Sequence, residues 1–282
     1  MDSYIFYKLF FVFFLLILNS LFSGFWFFQR KQTLLVDAIS HSVLPILVLV
    51  YLIVGSLNST LYLFLAVLFS SLVVFVISSL SDFNTKRSQS IIGVFFSGFF
   101  ALGLLLTNLF ARNVHLDADS VLFGSLEFVV FENVTLFGLT MPIALIKLIM
   151  LLFVNVCVFY FFRHLFTFLS FDKLQLARKG FNVTFVDFLQ VFLLVFNVII
   201  SFEIVGVILT LGLNTIPIMI GRMYSFNTAE IINISFIYSL LALFLSSFLS
   251  FSFNISLSAV FIIVLSFLFW LKLLFKRYLI KL

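Results

Sequence analysis

Charge is scarce in this chain: only 10% of its 282 residues are Asp, Glu, Lys or Arg. A water-soluble domain of this size needs far more charge on its surface, so that class is excluded. Cysteine is nearly absent. Cys157 is alone, so an intramolecular disulfide and a Cys-x-x-Cys metal or redox site are both excluded. The three histidines, His41, His115 and His164, are dispersed, and no His-Glu-x-x-His run exists. An intramembrane zinc protease, which needs a third ligand and an activated water, therefore has no support. No G-x-x-x-x-G-K-[ST] run occurs, so the chain does not bind ATP in the Walker manner. The N-terminal stretch lacks a basic region and a small-residue cleavage site, so a cleaved signal peptide is not expected.

What is present is apolar: 64% of the residues are hydrophobic, 45 of them Phe, and the mean hydropathy is +1.31. The Phe excess reads as apolar filler, able to replace Leu or Val facing lipid, and not as a ligand site. Apolar runs of roughly 18 residues or more recur from end to end, and each is long enough to cross a bilayer as a helix. The expected fold class is all-α, a polytopic integral membrane bundle forming a single transmembrane domain over residues 1–282, with about eight to nine crossings. Nine segments are expected, at 6–28, 34–56, 60–80, 90–110, 134–162, 186–204, 206–221, 229–250 and 255–275. The seventh is short for a span.

Basic residues set the orientation. Arg30 and Lys31 follow the first segment, and Lys86 and Arg87 the third. Arg163, Lys173, Arg178 and Lys179 follow the fifth, Arg222 the seventh, and Lys276, Arg277 and Lys281 the ninth. Even-numbered exits carry only Arg112. The N-terminus is thus expected outside and the C-terminus in the cytoplasm. The same distribution accounts for the pI near 9.4 without nucleic acid.

The stretch VDAISHSVLP, residues 36–45, places Asp37 and His41 one helical turn apart, on one face. An ionised Asp in a membrane helix is costly unless it is paired or faces water, which makes it a functional candidate. Carboxylate with imidazole suits Mn, Fe or Zn. Pro45 lacks an N–H and kinks the helix, freeing the His41 carbonyl four residues earlier. Two readings fit the spacing: contact with a metal ion, or an Asp–His hydrogen bond that pins helices together.

Other polar residues have simpler readings. His115, Asp117 and Asp119 resemble a metal lure but suit a solvated outer loop. Lys147, deep in the fifth segment, either snorkels, pairs with Glu127 or Glu132, or lines a polar cleft. Glu203 is expected exposed near the outer surface, and His164 at the inner interface.

Five ordered stretches resemble one family, the permease subunits of bacterial zinc, manganese and iron ABC importers. RKQTLLVDAISHSVLP (30–45) is similar to its R-x-L-x-L-x-G-D-A-L-S-H-A-V-L-P-G. IIGVFFSGFFALGLLL (91–106), HLDADSVLFGSL (115–126), FDKLQLARKGFNV (171–183) and VGVILTLGLNTIPIMIGR (205–222) resemble further family motifs in order. Val36, Ile46 and the run Ile218–Met219–Ile220 stand where the family usually has small residues. The resemblance implies a transport subunit that is not itself an enzyme and holds no permanent cofactor. Its cargo would be a divalent ion (Zn, Mn or Fe) contacting Asp37 and His41. It implies a cytoplasmic ABC ATPase, an extracytoplasmic metal-binding protein, a second permease chain (a homodimer) around a shared two-fold pathway, and a place in the bacterial inner membrane.

The segment SFDKLQLARKGF would then be the coupling helix seated in the ATPase. Leu174, Ala177 and Arg178 share one face, Asp172 precedes them and Gly180 ends the helix. Read from its residues alone, the segment also fits an ordinary basic inner loop. The alternatives to an ABC permease are a secondary ion-coupled metal carrier and a purely structural membrane subunit.

Overall fold

The computed structural model describes residues 3–30, 32–56, 59–80, 86–110, 133–136 and 139–279; within these, a few side chains, Asp37 and Ser40 among them, lie outside the description. Apolar runs build four long helices first: α1 (Ser3–Gln29), α2 (Thr33–Val54), α3 (Thr60–Leu80) and α4 (Lys86–Phe110). Two short strands follow, β1 (Asn133–Leu136) and β2 (Leu139–Pro142), paired antiparallel with Val134 opposite Met141 and Leu136 opposite Leu139. The chain then forms α5 (Ile143–Phe171), the short α6 (Lys173–Arg178), α7 (Val183–Tyr224), α8 (Thr228–Phe253) and α9 (Leu257–Leu279). Seven helices are long and apolar enough to cross a membrane, counted over the described residues; in α2 the described apolar stretch is the shorter His41–Val54. The molecule is a polytopic helical membrane bundle.

Two expected boundaries move. The fifth segment was expected from residue 134, but 133–142 form the hairpin and the helix starts at Ile143. Val134, Thr135 and Thr140 are β-branched and favour strands. Pro142, with no N–H to give, sits at the helix N-cap. At its other end α5 runs on to Phe171, carrying Arg163 and His164 as exposed residues on its last turns. At 29 residues α5 is about 43 Å long, more than the roughly 30 Å of hydrocarbon it would cross.

The second difference concerns α7, whose 42 residues absorb the sixth and seventh expected segments. The element is not straight. Gly206 has φ 78° and ψ 175°, a backbone conformation nearly restricted to glycine. Asn197 Nδ2 donates to Asn214 Oδ1 at 3.2 Å, although 17 residues separate them. A straight helix would hold them about 25 Å apart. The halves 183–205 and 207–224 therefore fold back on each other, and Gly206 is the point of reversal.

Buried amides bind the bundle together. Asn197 Nδ2 also donates to Ser23 Oγ at 2.8 Å, and Ser23 Oγ donates to Asn214 Oδ1 at 3.0 Å, so α1 joins both halves of α7. One turn earlier, Asn19 Nδ2 donates to the Leu148 carbonyl at 3.2 Å, and Asn155 Nδ2 donates to Asn19 Oδ1 at 2.9 Å, which joins α1 to α5. Lipid offers these groups no competing partner, so interhelical hydrogen bonds act as glue. Apolar packing divides into two clusters. One joins α1, α5, α6, α8 and α9 to part of α7; the other joins α2, α3 and Phe27 of α1 mainly to its first half.

The α1–α7 contact is close because residue 24 is Gly. A methyl there would lie 2.4 Å from the Asn214 carbonyl oxygen and 3.1 Å from Ile218 Cδ1. The obstacle is backbone, so the helices must part. Gly24→Ala should lower stability by about 1–3 kcal/mol, the usual range for overpacking. The check is detergent melting and membrane accumulation beside Val156→Ala, at an exposed position on α5. Equal melting of the two variants would contradict this packing.

Candidate functional site

Helix α2 carries the first candidate pair. Its N-cap residue, Gln32, makes no side-chain cap; its N–H closes the α1–α2 corner on the Phe27 carbonyl at 2.9 Å. The helix ends at Gly55, in the left-handed region at φ 77°, whose N–H bonds the Tyr51 carbonyl. Asp37 and His41 lie one turn apart on this continuous helix. The Asp37 side chain lies outside the described ones. His41 is half-buried and sits edge-on against two rings of α4, with centroids 4.3 Å from Phe96 and 4.8 Å from Phe100. Pro45 is buried inside the helix.

Beside it α4 comes close, because a methyl at Gly103 would meet Leu44 Cγ at 2.9 Å and Pro45 Cδ at 3.0 Å. The proline and the glycine thus set the α2–α4 spacing that brings the two phenylalanines to His41. Ser42 Oγ is engaged within the helix, donating to the Ala38 carbonyl at 2.7 Å. Among the described residues no group of three or more His, Cys, Asp or Glu gathers in one place. One described protomer thus offers no complete metal cage.

The second candidate is the segment after α5. Asp172 caps α6, its Oδ1 accepting from Gln175 N–H at 2.9 Å. Gly180, at φ +81°, ends the turn just beyond the helix. Leu174, Ala177 and Arg178 are exposed, whereas Leu176 is fully buried. Phe171, Phe181 and Phe185 extend the exposed apolar surface around Leu174. Exposed Leu and Phe flanked by Lys173, Arg178 and Lys179 make a partly apolar, basic-rimmed face.

The structure pairs charges that the sequence reading placed singly. Lys147 Nζ meets Glu203 Oε1 at 2.5 Å. The other partners considered, Glu127 and Glu132, lie outside the described residues, as do Arg112, His115, Asp117 and Asp119. Glu203, expected simply exposed, is half-exposed and engaged. Because α5 starts at residue 143, Lys147 stands near a helix end and not deep in a span. At the opposite end of the bundle Arg30, expected only as a basic exit residue, lies 2.5 Å from Asp187 Oδ1. Its Nη1 also donates to Gln190 Oε1 at 2.9 Å. The signal for these contacts was visible as isolated Asp, Asn and Gln in apolar stretches, which membranes tolerate only when partnered.

The architecture is that of a multi-pass membrane protein built from apolar helices around buried amides. The model of the ABC 3 transport family matches residues 2–276, and the chain belongs to that family. Among similar proteins is the manganese transport system membrane protein MntD of Bacillus subtilis (strain 168), 32% identical over 189 residues. That alignment covers 67% of this chain and 64% of the relative. The zinc transport system membrane protein TroD of Treponema pallidum (strain Nichols) is 29% identical over 189 residues, covering 67% of this chain and 51% of that protein. The chain thus spans less than two thirds of the length of these two relatives. Among solved structures, PsaBC from Streptococcus pneumoniae in complex with Fab is similar in fold, with TM-score 0.74 at 21% identity, over 94% of this chain and 89% of that one.

Proposed function

We propose that the chain is the membrane-spanning permease of an ABC importer of a divalent transition metal, energised by a separate cytoplasmic ATPase and fed by an extracytoplasmic metal-binding protein. The observation that carries the reading is Asp37 and His41, one turn apart on α2, in a chain of the ABC 3 transport family. Carboxylate and imidazole together bind Mn, Fe and Zn. Manganese and zinc, in the names of the relatives, are the first cargoes to test.

The reversal at Gly206 supports nine crossings: α1 to α5, the two halves of α7, α8 and α9. With basic residues inward, the N-terminus lies outside and the C-terminus in the cytoplasm. Arg30, Asp187 and α6 then share the cytoplasmic end, while Gly206 and the Lys147–Glu203 pair share the outer end. The membrane is the bacterial inner membrane.

The Asp37–His41 pair would supply two ligands, and a cation of this class wants about four or more. A homodimer with α2 from each copy beside the two-fold axis supplies Asp37 and His41 twice. The outward face of α4 suits close approach of another helix: it exposes Gly93, Ser97, Gly98 and Ala101, with open space around both glycines. Release of the ion requires the halves to separate, driven by ATP through the α6 face.

Purified with its ATPase and binding protein in vesicles, the complex should hydrolyse ATP faster with manganese(II) or zinc(II) and accumulate that ion. Uptake by the isolated chain under an ion gradient, without ATP, would instead establish a secondary carrier. The α6 face has its own test. Gly180→Pro with Arg178→Glu removes the left-handed turn and reverses a rim charge. The double variant should lose most co-purifying ATPase while still accumulating in the membrane. Persistent co-purification with stimulated hydrolysis would reject α6 as the docking element.

A further inference from the structure

We propose that Arg30 and Asp187 form a strut that transmits motion of the docking segment to the foot of α2, making both of them positioning residues for the Asp37–His41 site. The inference rests on the transport reading above. Its first link joins α6 to α7. Leu176, the buried residue of α6, lies in one continuous apolar cluster with Phe166, Leu169 and Val186. A displacement of α6 therefore drags the first turns of α7, where Asp187 follows Val186. Asn182 stiffens this start, its Oδ1 accepting from Phe185 N–H at 3.2 Å.

The second link is the charge contact. The Arg30 side chain is 3% exposed, and Asp187 is 18% exposed. Gln190, also buried, accepts from Arg30 Nη1. A buried guanidinium cannot leave its anion without an uncompensated charge in an apolar setting. Arg30 and Asp187 must therefore move together. The third link is short. Only residues 31 and 32 separate Arg30 from α2, and Asp37 stands in the second turn of that helix. Along the chain Arg30 and Asp37 are seven residues apart.

Anchoring alone does not explain the pair. The Ser23–Asn197–Asn214 bonds and the close contact at Gly24 already fasten α1 to α7. An ion pair in a membrane bundle is expensive compared with an apolar contact. Its position, between the segment that meets the ATPase and the helix that meets the ion, gives it a use that packing lacks.

The test uses the full complex of permease, ATPase and binding protein in vesicles, with manganese(II) and zinc(II) as probes. Asp187→Asn and Arg30→Gln each leave a buried partner uncompensated and should lower membrane levels, so turnover and uptake are read per folded, ATPase-bound complex. Basal ATP turnover should persist, while metal-stimulated turnover and uptake fall at least ten-fold. The exchange Arg30→Asp with Asp187→Arg should recover at least a third of the uptake. Stimulation within two-fold of the parent in the single variants would overturn the strut. So would losses that merely track lost protein, or a charge exchange that recovers nothing. A parent complex that no metal stimulates would refute the transport reading instead, so the two failures are distinguishable.

Discussion

Asp37→Asn is expected to lower metal uptake at least a hundred-fold while the ATPase still co-purifies, and His41→Ala to do the same. The reason is electrostatic. Asn keeps the shape of Asp but removes the charge that offsets a dication, and a neutral amide binds such an ion far more weakly in a low-dielectric pathway. Ala at 41 removes a borderline-soft nitrogen donor, one that suits Mn, Fe and Zn better than Mg or Ca. In a homodimer each substitution strikes twice, because the two-fold axis repeats it. His41→Ala also removes the edge contacts with Phe96 and Phe100, so a packing loss must be separated from a ligand loss. His41→Asn and His41→Phe do this. Asn retains a polar donor of similar reach, and Phe retains the ring contacts. A metal role predicts partial uptake with Asn and none with Phe; a packing role predicts the reverse. Normal uptake by both Asp37→Asn and His41→Ala would remove α2 as the transport helix.

That pair was legible because a spacing of four on a helix is a purely local property. The setting of His41 was not. Its neighbours Phe96 and Phe100 lie on α4, and they reach it only because Gly103 lets α4 close on Leu44 and Pro45. Hydropathy located the apolar runs well but reports transfer energy, not backbone shape, so the apolar hairpin 133–142 read as the start of a helix. That error buried Lys147 too deeply and hid Glu203 as its partner. The partner of Arg30 stayed hidden for a related reason: a basic residue at a span exit satisfies the orientation rule by itself, and nothing nearby in sequence announces Asp187. The ends of the short helix α6 were easier to read, since Asp172 and Gly180 mark them by cap chemistry that acts within one turn. Buried amides carried an unused signal. Asn19, Asn155, Asn197 and Asn214 each interrupt an apolar run, and each proves to be a crossing point between helices.

Gly206 carries the second large effect, because the whole placement of α7 turns on it. Both of its dihedral angles are those a Cβ opposes, so Gly206→Ala should cost about 1–3 kcal/mol, and a β-branched Val more. Membrane proteins of marginal stability lose most of their folded population to such a penalty. Expected outcomes are a lower melting temperature for Ala and little accumulated protein for Val. The reversal itself has a direct geometric check. In a Cys157→Ser background, Asn197→Cys with Asn214→Cys should be joined by a short bismaleimide, detected as a linked peptide by mass spectrometry. A continuous helix would hold those thiols about 25 Å apart, beyond the reagent's span. Asn197→Cys paired with Ile208→Cys, just past the turn and about 10 Å from the level of Asn197, should link far less. Failure of the first pair would leave α7 as one long rod, and the Ser23–Asn197–Asn214 bonds could not coexist. A Gly206→Ala protein that melts like the parent would show that the backbone at 206 is ordinary helix.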